Sequence, residues 1–361
     1  MIYFAVDQPR IHLLDHYLAG GWGRSLARML GQVSYPELFR SRSLARGAWI
    51  FTSLDALSEG ELEMVARIQS AAREAGLPVL NDARKALHRY ELLQALWQTG
   101  CNEFRAFRAT GPLDSLRFPV FVREANEHDG SLTPLLHNHG QLRRAIAYLR
   151  LRGLRLSDLL VIEFCETAGG DGIYRKYSIF RVGNAYLPRY LHVGPHWMTK
   201  EGTRSASEDL VHQEIAYLRD NPHVEWVREV FELAQIEYGR LDYGVRQGRP
   251  QAWEINLTPL LAGNPHRGPE SPEELRFRGE MKPSRDRFHT TLRAAFRALD
   301  PGPLAGEDLR LEFPPAVEEQ ARRERQRMEE LGRRKQRISR IAAAPGFRRI
   351  GALLRRVLRG E

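Results

Sequence analysis

The segment from Arg240 to Pro259 constrains this chain more than any other. It reads as two short strands around a tight turn. Side chains alternate along a strand, so Glu254 and Asn256 share one face and Trp253 and Ile255 the other. Asp242 lies on the opposite strand, with Leu241, Tyr243 and Val245 turned away from it. Pairing Asp242 with Glu254 or Asn256 puts all three oxygen-bearing side chains on one face. Pairing it with Ile255 does not, because a one-residue slip flips every side chain. The first register leaves Gln247-Gly248-Arg249 as a three-residue loop, with Gly248 in the left-handed conformation. Leu241, Tyr243, Trp253 and Ile255 then face the core. Two carboxylates and an amide make a hard oxygen site suited to Mg²⁺. The same residues also read as a surface hairpin with solvated acids.

The chain has 361 residues, enough for two or three domains with cores of their own. It has no apolar run long enough to span a bilayer. Its start, Met1 to Pro9, reads as a first strand and not as a signal peptide. Cys101 and Cys165 support neither a disulfide framework nor a thiolate metal site, so a cytoplasmic location is expected. The net charge of +9 is uneven. From Glu318 onward there are fourteen Lys/Arg and six Asp/Glu, leaving the rest of the chain at about +1. A nearly neutral body argues against specific nucleic-acid binding.

Residues 1–83 alternate strand and helix signals, as a parallel sheet requires. Ile2–Val6, Gly47–Thr52 and Gly76–Asn81 read as strands. Ser58-Glu-Gly-Glu61 is a capping box opening a helix to about Glu74. Gly20-Gly21-Trp22-Gly23 reads as a loop. Residues 84–165 hold a helix over 84–100, a strand over Phe118–Arg123, a helix over Gln141–Leu151 and a strand over Leu159–Cys165. Residues 166–300 hold a hairpin turned at Gly183-Asn184, a helix from Ser207 to Gln235, the opening hairpin, and a helix over Pro283–Leu299. Residues 301–314 read as a linker and 315–361 as a basic helical tail.

In the tail, Glu318/Arg322, Glu319/Arg323, Glu329/Arg333 and Glu330/Arg334 are spaced i, i+4 with the acid first, which supports a helix over 315–344. Val317, Leu331 and Ile338, with Ala321 and Met328, give a heptad seam that Glu324 and Lys335 interrupt. Beyond Pro345-Gly346, Phe347, Ile350, Leu354, Val357 and Leu358 share a helical face flanked by arginines. Such a segment can lie on an anionic membrane surface, dock on an acidic protein, or fold back on the body.

Taken in chain order, these features resemble the ATP-grasp superfamily, and within it the branch of ribosomal-protein glutamate ligases and glutathione-synthetase-like enzymes. The resemblance covers roughly residues 76–264. Leu77-Pro-Val-Leu-Asn81 leads into a helix where Arg89 stands in place of the family's usual lysine. Phe118-Pro-Val-Phe-Val-Arg123 is similar to the family's Pro-x-x-x-Lys strand, with arginine again for lysine. Val161-Ile-Glu-Phe-Cys-Glu166 resembles the hinge that meets adenine. Arg240–Pro259 resembles the magnesium hairpin ending in Glu-x-Asn.

The resemblance implies an α/β (α+β) architecture: an N-terminal parallel α/β domain, two α+β subdomains clasping ATP, and the helical tail. It implies ATP and Mg²⁺ as cofactors. Arg89, Arg123, His128, Glu163, Phe164, Cys165 and Glu166 would bind ATP, and Asp242, Glu254 and Asn256 the metal. Arg189 and Lys176 would be the catalytic residues that stabilise negative charge growing on the transferring phosphoryl oxygens, and Trp197 and Lys200 would cover the acceptor. Arginine keeps the charge and offers a planar donor fork to phosphate. The loop Glu124–Ser131 holds one glycine, Gly130, where the family is glycine-richer. Glu163 also reads as a strand residue paired to a base, and Glu166 as solvated. Lys176 shares a strand face with Ser178 and Phe180, not with Arg181.

The expected activity is an ATP- and Mg-dependent carboxylate–amine ligase that forms an acyl phosphate from a small-molecule or peptide carboxylate and passes it to an amine. A phosphotransferase and a nucleotide-binding scaffold are the alternatives. His192 and His196 have His-x-x-x-His spacing, but Val193-Gly194-Pro195 between them is not helical, so no zinc site is expected.

Overall fold

The computed structural model describes residues 1–127, 130–199, 207–261, 275 and 277–343. The chain divides into two compact units. One comprises Met1–His88 and Thr167–Glu319, the other Arg89–Glu166 and Gln320–Glu361. The fold is mixed α/β, with one parallel sheet and separate antiparallel sheets.

The first unit opens with β1 (Ile2–Val6), α1 (His12–Ala19), β2 (Leu30–Ser34), α2 (Tyr35–Ser41), β3 (Ser43–Leu44), β4 (Ala48–Phe51), α3 (Glu59–Glu74) and β5 (Val79–Leu80). The parallel sheet has the order β2-β1-β4-β5. The capping box at Ser58 and Glu61 forms as its spacing predicts. Strand β2 and helix α2 were not expected. Ser34 caps α2 by accepting from Glu37 N–H, with Pro36 in the first turn, where its missing N–H is harmless.

The same unit continues, after the second unit's first segment, with a four-stranded antiparallel sheet. The second unit contains α4 (Arg89–Gln98), β6 (Ala106–Arg108), β7 (Val120–Glu124), α5 (His139–Leu151) and β8 (Leu159–Glu163). The first unit resumes with β9 (Tyr174–Val182), β10 (Ala185–Gly194), α6 (Glu208–Asp220), α7 (Val224–Ala234), β11 (Tyr238–Arg246) and β12 (Arg249–Asn256). It closes with α8 (Arg278–Leu299) and β13 (Leu309–Arg310), which pairs with β3. The antiparallel order is β10-β9-β11-β12. Helix α8 joins the two sheets through one core that includes Ile2, Phe4, Phe180, Phe288, Leu292 and Phe296. Phe4 meets Phe296 and Tyr238 edge-on at 5.9 and 5.4 Å. Each such buried side chain contributes roughly 2–3 kcal/mol.

Two expected helices change. The helix over 84–100 begins only at Arg89, because Asp82 holds the preceding residues in a turn, accepting from Arg84, Lys85 and Ala86 N–H. The helix over 207–235 is two helices. Asn221 is left-handed at φ 45° and Pro222 follows it, so α6 ends there.

In the second unit, the antiparallel sheet β6-β8-β7 packs on α5 around Val120, Val122, Leu142, Ala145, Leu149 and Val161. The helix α9 (Pro315–Ala343) spans the charged tail segment. Its residues from Gln320 onward belong to this unit. Lys335 Nζ donates to both oxygens of Glu124 at 2.6 and 2.8 Å. Ile338 packs on Gly153, where a Cβ would lie 2.7 Å from its Cδ1. The amphipathic segment 347–359 lies outside the described residues. None of the described helices is long and apolar enough to cross a membrane.

Candidate functional site

The opening hairpin forms, and its register gathers the expected acids. Asp242 pairs with Glu254 across β11 and β12, and Arg240 pairs with Asn256. Asp242, Glu254 and Asn256 therefore share one face with Arg240. Beyond Asp242 the ladder shifts by one residue, so that Tyr243 pairs with Ala252 and Trp253 is bulged out. Two consequences follow. The turn shortens from three residues to two, Gln247-Gly248, both at positive φ of 48° and 80°. Trp253 and Ile255 are half-buried, whereas Leu241 and Tyr243 are fully buried as expected. The indole lies over Gly244, where a Cβ would come within 2.6 Å of Trp253 Cζ2.

Asp242 is buried and heavily engaged. Arg240 donates to it twice, at 2.9 and 3.1 Å. Ser178 Oγ donates at 2.8 Å and Lys176 Nζ lies at 3.3 Å. Both come from β9, where Ser178 is the direct cross-strand partner of Asp242. Burial pushes the Asp242 carboxyl up and Glu254 adds to that, but Arg240, Lys176 and Ser178 outweigh them, so it lies below its ordinary value. The face thus holds two acids, an amide and two bases. Asn256 Oδ1 accepts from Thr258 N–H at 2.8 Å, which fixes the amide.

Arg240 and Ser178 are the residues that the sequence reading left without a role. Alternation could have found Arg240, two residues from Asp242 on the same strand. Arg189, expected beside Lys176, is not among Asp242's partners. It occupies a bulge in β10 between Pro188 and Tyr190 and lies against the rings of Phe288 and Tyr190.

The second unit holds the other expected bases. Arg89 Nη1 donates to the carbonyls of Glu124, Ala125 and Glu127, and Arg123 Nη2 donates to that of Glu127 at 3.0 Å. Both arginines are buried, so two permanent charges stand under the start of the 124–131 loop. His128 lies outside the described residues, as does Lys200.

Glu163 is a structural anchor. The backbone N–H and guanidinium of both Arg105 and Arg117 donate to its carboxylate at 2.6–3.1 Å. Burial raises its pKa, yet these hydrogen bonds outweigh burial and hold it below the ordinary range. Trp97 lies under both guanidiniums, at 5.6 and 4.9 Å. Of the two readings for this residue, its carboxylate follows pairing to bases. Phe164 N–H donates to Pro119, while Cys165 is half-buried and Glu166 exposed. Trp197 is half-buried and tilted against His196 at 5.7 Å.

No protein-family model matches the sequence, and no curated protein matches it either. Solved structures do. A D-alanine–D-alanine ligase from Bacillus anthracis is 11% identical over 83% of this chain and 97% of that chain, with a TM-score of 0.46. An L-amino acid ligase from Bacillus licheniformis is 12% identical over 71% and 67%, with a TM-score of 0.43. A RimK domain ATP-grasp protein from Sphaerobacter thermophilus is 14% identical over 72% and 92%, with a TM-score of 0.38. An ATP-grasp protein is thus among the chain's structural likenesses. The D-alanine–D-alanine ligase is also matched in its complex with ATP, at 12% identity and a TM-score of 0.44.

Proposed function

We propose that this chain is an ATP-grasp protein that acts as an ATP- and Mg-dependent carboxylate–amine ligase. The observation that carries the reading is the Asp242–Glu254 cross-strand pair, with Asn256 on the same face and Lys176 and Arg240 on the same carboxylate. The donor set fits Mg²⁺: two carboxylates and an amide oxygen, with Asp242 held ionised. Asp242, Glu254 and Asn256 would hold the ion, which when bound offsets phosphate charge.

The protein's own residues then have definite tasks. Arg89 and Arg123 steady the loop carbonyls of their own unit, and their guanidinium forks are suited to phosphate. Lys176 and Arg240 stabilise the negative charge that gathers on the transferring phosphoryl group. A substrate carboxylate attacks the γ-phosphorus in line; the bond to ADP breaks and an acyl phosphate forms. An amine then displaces phosphate and gives the amide. The substrates are read as a small-molecule or peptide carboxylate and an amine. We read the protein as cytoplasmic, with the basic tail as a contact for an anionic membrane surface or an acidic protein.

A hydroxylamine trap tests the ligase reading. With Mg-ATP and a panel of amino acids and peptides, one acid should yield a hydroxamate, because hydroxylamine captures an acyl phosphate. ADP production on a hydroxyl acceptor, without hydroxamate, would assign a phosphotransferase instead. One observation favours a second reading, a nucleotide-binding scaffold: Asp242 is already neutralised by its own Arg240 and Lys176. Mg-dependent ADP binding without any ADP production would support it.

A further inference from the structure

Arg189 is a buried cation without an anion. It is 9% exposed, its Nε is orphaned, and among the described residues it makes no hydrogen bond or ion pair. Its guanidinium is held only by aromatic faces, 4.3 Å from the Phe288 ring and 4.6 Å from that of Tyr190. Only Nε is sealed without a partner; the two Nη atoms are not buried orphans, so the outer edge of the fork stays within reach of solvent or a ligand, and the aromatic faces offset only part of the cost of desolvating Nε.

Two further orphans, on an imidazole and a phenol, belong to the same cluster. His289 Nδ1 and Tyr17 Oη have no partner among the described residues, although the residues are only 3% and 1% exposed. Their rings stack 5.9 Å apart, and Trp22 stacks on His289 at 4.5 Å. Burial first, then Arg189 and Arg293 against the smaller opposing pull of Asp286, bring His289 down to about 3. Burial pushes Tyr17 up to about 12 against the pull of Arg189 and Arg293. At neutral pH both are therefore uncharged, and each has a proton to donate. The nearby acid, Asp286, accepts from Lys282 through Oδ2 at 2.7 Å, while its Oδ1 is buried without a partner among the described residues. The charge left over in the cluster is positive.

The Gly20-Gly21-Trp22-Gly23 loop belongs to this arrangement. A Cβ at Gly23 would lie 2.2 Å from the Tyr17 carbonyl, so a side chain there would break the loop's packing on α1. Trp22 is thereby carried over His289 while remaining 38% exposed, as a cover with access to solvent.

We propose that Arg189, His289 and Tyr17 form a recognition site for a small carboxylate. A planar guanidinium matches a carboxylate, the positive charge of Arg189 and of Arg293, whose hydrogen bond is to the neutral Thr290 hydroxyl, answers negative charge on the ligand, and the neutral imidazole and phenol supply further donors. The site is read from Arg189's own surroundings and stands whether or not the nucleotide reading holds. Under that reading it is where the acid substrate is held.

Titration calorimetry of the full chain with succinate and, separately, with inorganic phosphate tests this. Succinate should bind, and Arg189→Met should weaken it at least about tenfold, while circular dichroism shows the fold kept. Arg189→Lys should weaken it as well, since an ammonium lacks the fork. His289→Phe keeps an aromatic ring for Trp22 and removes both ring nitrogens. It should weaken succinate too, and it decides the matter should Arg189→Met not fold. The proposal is overturned if wild-type protein binds no succinate, or if the variants bind it as tightly as wild type. Phosphate binding that is tighter and equally dependent on Arg189 would overturn the carboxylate assignment. Running the titrations without nucleotide or Mg²⁺ keeps their outcome separate from that of the ligase reading.

Discussion

Glu254 stands directly opposite Asp242 across the β11–β12 ladder, so two carboxylates share one face of a sheet strand to strand. Like charges in that position repel, and Glu254 does raise the Asp242 pKa. Arg240, Lys176 and Ser178 overcome this by donating to Asp242. The arrangement predicts graded effects. Ser178→Ala removes one donor and should cost about 1 kcal/mol of stability. Asp242→Asn removes the charge that balances two bases, and should lower Mg-dependent ADP release by about 100-fold or more. Thermal melts and a coupled ADP assay measure the two.

Glu163 predicts a stability effect of a different size. Glu163→Gln leaves Arg105 and Arg117 facing a neutral amide in a buried site. The expected loss is about 3 kcal/mol, read from urea unfolding. The pH dependence carries the same signature. Because the folded pKa is depressed, the stabilisation from Glu163 is fully present above the unfolded value of about 4 and is lost as pH falls through the folded value. Glu163→Gln should therefore flatten the acid limb of stability below about pH 4.

The hairpin shows how far the sequence reached and where it stopped. Alternation places Asp242, Glu254 and Asn256 on one face and puts Lys176 with Ser178, since period two is a local property. It cannot reveal that Trp253 is bulged, because a bulge is set by how the indole packs over Gly244. That one residue turns the three-residue loop into a two-residue turn and lifts Trp253 from the core. Glu163 was legible as an acid on a buried strand, but its partners Arg105 and Arg117 are 58 and 46 residues away, beyond any local pattern. The short strand β2 was missed because three of its five residues are half-exposed, which gives no alternation to read. The break between α6 and α7 is legible in Asn221-Pro222, a pair that favours a turn over a continuing helix.

Gly244 supplies a packing test. Gly244→Ala would place a Cβ 2.6 Å from Trp253 Cζ2 and 3.1 Å from Thr167 Cγ2. Either the indole moves or the strand does, at about 1–3 kcal/mol. Trp253 fluorescence should shift with the loss of stability. An unshifted spectrum with full stability would contradict the bulge geometry.

His289 gives a pH test with the opposite kind of group. Its pKa is pushed down to about 3, so the folded state resists a proton that the unfolded state takes up near 6.5. The unfolded state binds more protons between those values, so stability rises with pH across that window and falls on acidification from 6.5. His289→Phe should remove this slope, and NMR titration of the wild-type imidazole should show no charging above about pH 4.

The central claim is that the Asp242–Glu254–Asn256 face is the metal end of a nucleotide site. Calorimetry of ADP binding with and without Mg²⁺, in wild type and Glu254→Gln, tests it most directly. Mg²⁺ should tighten ADP binding at least about tenfold in wild type and barely at all in the variant, whose fold is checked by circular dichroism. Absence of ADP binding in wild type, or an equal Mg²⁺ effect in the variant, would contradict the account.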